Sequence, residues 1–153
     1  MKTTKYGTAT TLSLLLALGI ASVSAADIKP SAADNQAHAT AINSALNSIG
    51  SIKDAVAQYR LHHNSFPVSN AESGILPPTA FATSALKRVD VGSNGVIEAT
   101  LTADSGVDDG VIRFTPAMSP QTDLNQVDWI CTSPSYSDIS DITNSACSYS
   151  KVP

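Results

Sequence analysis

Hydrophobic positions change their period along this chain, and the changes mark its elements. From residue 32 to residue 63, Ile42, Ala45, Leu46, Ile49, Ile52, Val56 and Tyr59 recur at steps of three and four. That spacing stacks them on one face of an α-helix. Asn43, Asn47, Lys53, Asp54, Gln58 and Arg60 fall on the opposite face. Alanines between them favour helix because they lose little side-chain entropy. Gly50 interrupts the run at a cost near ~1 kcal/mol. Ser31 and Asp34 have the spacing of a capping box at the start. Asn64 suits a left-handed position at the end, with Pro67 beyond it as a stop. The predicted helix, Ala32–His63, is about 48 Å long.

No period survives from residue 64 to residue 85, where Pro67, Gly74, Pro77 and Pro78 punctuate the chain. A connector of this length is too long to be an idle link. A short helix is expected from Thr79 to Leu86, with the rest lying over a sheet. The period then becomes two. Strands are predicted at Leu86–Val91, Val96–Thr102, Val111–Met118 and Val127–Thr132. In the second, Ile97, Ala99 and Leu101 share one face, while Val96, Glu98, Thr100 and Thr102 share the other. Gly92-Ser93-Asn94-Gly95 is a turn signal between the first two strands. Ala103–Gly110 is a loop rich in Asp and Gly. A long helix followed by hairpin-linked strands predicts an α+β layer pair, the helix packed on a four-stranded antiparallel sheet.

The start of the chain has a different character. Lys2 and Lys5 precede an apolar stretch from Thr8 to Val23, and Val23-Ser24-Ala25 supplies small residues for a cleavage site. This order is that of a secretory signal peptide, residues 1–25, cleaved between Ala25 and Ala26. The apolar stretch falls short of the roughly 20 residues of a membrane-spanning helix, so no stable membrane anchor is expected after cleavage. The alternative is an uncleaved anchor. Cleavage leaves 26–153 as one domain with one core. It also removes two lysines, so seven Lys and Arg face thirteen Asp and Glu, a net charge of −6. A field of that sign repels phosphate, which makes nucleic acid and anionic lipid poor partners.

Export changes the reading of the two cysteines, Cys131 and Cys147. In an oxidising compartment they most simply pair with each other, and free thiols or a metal site are the alternatives. Two cysteines without a nearby histidine make a poor zinc set. Closing a loop of this length contributes roughly 3 kcal/mol of stabilisation, through a less disordered unfolded chain. The enclosed segment has few apolar residues, so the disulfide is expected to order it. Trp129 shares a strand face with Cys131 and is expected in the sheet core beside the sulfurs, with a recognition surface as the alternative.

These residues, in order, resemble the globular headgroup of type IV pilins. Tyr59-Arg60 and Asn64-Ser65-Phe66-Pro67 are similar to the end of a pilin's helix. Lys87-Arg88-Val89-Asp90-Val91 with Gly92–Ile97 is similar to the first sheet hairpin. Val111–Pro116 resembles the third strand, and Trp129-Ile130-Cys131 followed by Cys147 resembles the disulfide-bounded loop. The resemblance covers roughly residues 38–149. It implies a ladle-like α+β domain and roles in fibre assembly, adhesion, motility or DNA uptake. It also implies that the loop serves subunit contacts and adhesion, which makes Tyr136, Ile139, Ile142 and Tyr149 the interaction residues expected here. The leader departs from the family. Prepilins carry a glycine cleavage position followed by an apolar helix with Glu at its fifth residue, whereas the fifth residue after Gly7 is Leu12.

Other candidates are weaker. His62 and His63 are adjacent, so on a helix they point about 100° apart and cannot form the i, i+4 pair of a helical metal site. His38 stands alone near the helix start, where exposure is expected. Arg60, Lys87 and Arg88 are the residues for a competence-type DNA contact, but no aromatic interleaving supports base stacking. Asp104, Asp108 and Asp109 share one loop with oxygen donors but lack the calcium-loop pattern. No Gly-x-Ser-x-Gly elbow occurs, no histidine follows the start of the strands, and Glu72 and Glu98 have nothing linking them as an acid/base couple. The expectation is a non-enzymatic exported protein, periplasmic or extracellular, with no catalytic residues, metal or cofactor. Its partners would be pilus subunits or assembly components, and a host or abiotic surface. The alternatives are a true fibre subunit with an atypical leader, a DNA-binding pilin and an unrelated exported ligand-binding domain.

Overall fold

The structure is a computed structural model that describes residues 32–118 and 126–151. The expected signal peptide and the capping residue Ser31 lie outside the described residues. The helical stretch forms as predicted but in two segments, α1 (Ala32–Ser48) and α2 (Gly50–His63). Ile49 between them keeps helical angles, φ −85 and ψ −13. The break is one tightened step: Ile49 N–H reaches back to Leu46 O, while Lys53 N–H already bonds Ile49 O at 3.0 Å. Gly50 beside it lowers helix propensity at this point. The helix ends at Asn64, which adopts φ 59 and donates its N–H to Arg60 O.

The stripe read from the sequence is the buried face. Ile42, Ala45, Ile49, Ile52 and Val56 are all at most 1% exposed. Leu46 packs partly buried against this core. Tyr59, the last of the stripe, is half-buried and stacks on His63 instead, with ring centroids 4.0 Å apart.

Strands β1 (Leu86–Val91), β2 (Ile97–Leu101), β3 (Val111–Met118), β4 (Val127–Ser133) and β5 (Cys147–Tyr149) form one sheet in sequence order. The first four are antiparallel neighbours. The fifth extends the expected four-stranded sheet and runs parallel to β4, with Cys131 opposite Cys147. Ile97, Ala99 and Leu101 are buried, as are Ile112 and Phe114 on β3. Each large side chain buried between helix and sheet contributes about 1.5–3 kcal/mol. The outward face carries a cross-strand ion pair, Arg113 with Glu98 at 2.8 Å, from directly opposed residues.

The connector differs from expectation. A single 3-10 turn, Pro78–Phe81, replaces the helix expected from Thr79 to Leu86. Thr83 ends it, because its Oγ1 accepts the N–H groups of Ala85 and Leu86 and turns the chain into β1. Before this turn the connector seals the outer edge of β1. Buried Asn70 donates Nδ2 to Val89 O and Leu76 O and accepts Val91 N–H on Oδ1. One amide thereby replaces the backbone groups a further strand would have offered.

Candidate functional site

Cys131 and Cys147 are joined by a disulfide. The segment between them is more ordered than its composition suggests. Ser133 Oγ donates to Val111 O at 2.6 Å and accepts the N–H groups of Ser135 and Tyr136. Ser135 Oγ accepts Val111 N–H. A short helix, α3 (Ile139–Ile142), follows. Thr143 Oγ1 donates to Ile139 O and accepts Cys147 N–H, which ties the end of α3 to β5. Asn144 and Ser145 take left-handed angles, φ 50 and 65, to make the return.

The four expected interaction residues separate. Tyr136 is 2% exposed and Ile139 0%, both within the hydrophobic core. Ile142 is half-buried against that core. Tyr149 alone is exposed, at 40%. Burial thus takes Tyr136 and Ile139 off the outer surface, so the loop is anchored by packing as well as by sulfur. Its outward side presents Ser137, Asp138, Asp141, Asn144 and Tyr149.

Tyr136 ties the disulfide loop to the 103–110 loop. Its hydroxyl shares a 2.5 Å hydrogen bond with Ser105 Oγ, and Ser105 also donates to Thr102 O. Burial pushes the Tyr136 phenol above its ordinary pKa, opposed by the Ser105 hydrogen bond. Gly110 lies directly beneath, where an added Cβ would strike the Tyr136 hydroxyl oxygen. His38 meets the same ring with centroids 5.7 Å apart and lies 3.5 Å from Asp138. Its side chain is 18% exposed, so the expected exposure of His38 is corrected: α1, the 103–110 loop and the disulfide loop enclose it together. Gly106 adopts φ 83, and a Cβ there would strike His38 Nδ1. Nothing in the sequence near His38 announces neighbours so far along the chain.

The remaining candidates resolve into separate pairs. Lys87 holds Asp108 at 2.6 Å and Asp109 at 2.8 Å. Hydrogen bonding to these carboxylates raises the Lys87 pKa, and the Lys87 bond lowers that of Asp108. Arg88 makes a two-point contact with Asp90. Arg60 donates to Asn64 Oδ1 and lies over the Phe66 ring. The positive charge of Lys87 and Arg88 is therefore compensated locally, and the acidic loop is bridged by a lysine. His63 Nδ1 lies 3.0 Å from Tyr59 O. Among the described residues no group of three His, Cys, Asp or Glu could hold a metal ion, and no helix is long and apolar enough to cross a membrane. Trp129 is partly buried beside the disulfide and packs against the core rather than within it.

The geometry defines a class: an α+β domain with a helical spine, a sheet whose last strand is clasped to its neighbour by a disulfide, and an exposed outer loop. The family model for Pilin (bacterial filament) matches residues 37–148, and the chain belongs to this pilin family. No curated protein matches the chain. Membership makes it a pilus-related protein of a structural, exported family that associates with other pilus subunits.

Proposed function

We propose that this chain is a non-enzymatic, pilus-associated protein, periplasmic or extracellular, that works by contact. Its contact surface is the outer side of the disulfide-bounded loop, centred on Tyr149, Asp138 and Asp141. Its partners are other pilus subunits or assembly components, with host or abiotic surfaces as further targets. The observation that carries this reading is the division of the loop. Tyr136 and Ile139 root it in the core, while its outer side chains face solvent on a backbone already fixed by the disulfide. A surface ordered before binding loses little entropy when a partner docks.

Capture of pilus components by the exported protein, measured by crosslinking in intact cells, tests it. Tyr149→Ala combined with Asp141→Arg should weaken capture while leaving the melting temperature within a degree or two, as surface changes do. Undiminished capture by that double variant would move the contact elsewhere.

A further inference from the structure

The geometry points to a small-molecule site at the cleft between α2 and the β3–β4 hairpin, where Lys53 would bind a small organic carboxylate. The cleft, of about 290 Å³, is walled by Leu46, Phe114, Trp129 and Ala146 and floored by the Cys131–Cys147 disulfide. That volume lies just below the usual range for ligand pockets, about 300–1,000 Å³, so only a small ligand fits.

Lys53 is the charged group in this cleft. Its Nζ stands 4.6 Å from the Phe114 ring centroid and 5.9 Å from that of Trp129. Lys87, Arg88 and Arg113 each hold a carboxylate of this chain. Among the described residues Lys53 holds none, and its ammonium donates no hydrogen bond. Desolvation lowers its pKa, with the charge of the adjacent Asp54 opposing. The rings hold the head in place through their π faces but accept no conventional hydrogen bond. Three N–H donors therefore remain for an incoming acceptor. A carboxylate satisfies them with charge-assisted bonds, which apolar walls strengthen. The body of the ligand would lie against Trp129 and Leu46. Uronic acids and aromatic acids both meet this description, and a neutral sugar does not. The site does not depend on assembly into a pilus.

Trp129 is the only tryptophan in the chain, so its fluorescence reports directly on the cleft. The test titrates the exported protein with glucuronate, benzoate and glucose. A saturable change with glucuronate or benzoate, absent with glucose, is expected. Lys53→Met keeps the apolar stem and should weaken that binding roughly tenfold or more. Lys53→Arg, which keeps the charge, should retain most of it. Circular dichroism confirms that both variants are folded. No saturable response to either acid, an equal response to glucose, or equal affinity in folded Lys53→Met would each overturn the assignment. So would a concentration-dependent dimer that Lys53→Met dissociates, because the cleft would then hold a carboxylate of a second copy.

Discussion

At the scale of single residues, two polar side chains hold more of this domain than their type suggests. Asn70 is the first. Asn70→Ala would leave Val91 N–H, Val89 O and Leu76 O without the amide that satisfies them. Orphaning buried backbone groups costs about 1–3 kcal/mol each where water cannot reach them. A loss of at least ~2 kcal/mol in urea unfolding is expected. Asn70→Asp should also destabilise, since a carboxylate keeps the acceptor but loses both donors. Tyr136 is the second. Its phenol has a raised folded-state pKa, so folding favours the neutral form. That contribution is whole below the unfolded tyrosine pKa of about 10 and is lost as pH rises through the folded value. Denaturation midpoints should therefore fall on the alkaline side, and Tyr136→Phe should flatten that fall. Gly110→Ala, which drives a methyl into the Tyr136 ring, should destabilise more than Tyr136→Phe.

At the scale of elements, the disulfide loop has two supports. Cys131→Ser with Cys147→Ser should cost about 3 kcal/mol through a less constrained unfolded chain. The loop should still dock in the double variant, because Tyr136 and Ile139 remain buried. Hydrogen exchange checks this: amides of β5 and α3 should lose protection first, with β1–β3 protected until global unfolding. The elements also show what the sequence makes legible. The helix and four strands each run for five or more residues, so their periods can be counted. β5 has three residues and α3 four, too few to show any period. β5 exists because the disulfide and the parallel register with β4 hold it there, and both are tertiary facts. The expected helix at Thr79–Leu86 fails for a local reason, the Thr83 side chain that captures the amides of Ala85 and Leu86. Tyr136 and Ile139 stand in the sequence as interaction residues only through the family resemblance, because a loop this polar carries no period that marks which of its apolar residues turn inward. Only their partners, Ser105 and the helix face, show them to be anchors.

At the scale of the whole molecule, family and architecture are readable from the sequence while the neighbourhoods are not. The matched span, 37–148, coincides with the region whose order of helix, hairpin and cysteines is diagnostic. The Lys53 cleft and the His38 enclosure join segments far apart in the chain, so no local pattern encodes them. The expected leader bears on the whole molecule as well. Mass spectrometry of the exported protein should find a chain beginning at Ala26 with no free thiol. A chain beginning at Thr8 would instead indicate processing as a fibre subunit.

The parallel pairing of β4 with β5 also bears on what happens under load. The disulfide lies at the first paired position of the last strand, so tension entering from the C-terminal end meets it before it reaches the rest of the loop. The span from Cys131 to Cys147, a sequence separation of 16, would add about 55 Å of contour length if pulled straight. While the sulfurs stay joined, that slack is withheld, and a stretched protein yields elsewhere or not at all.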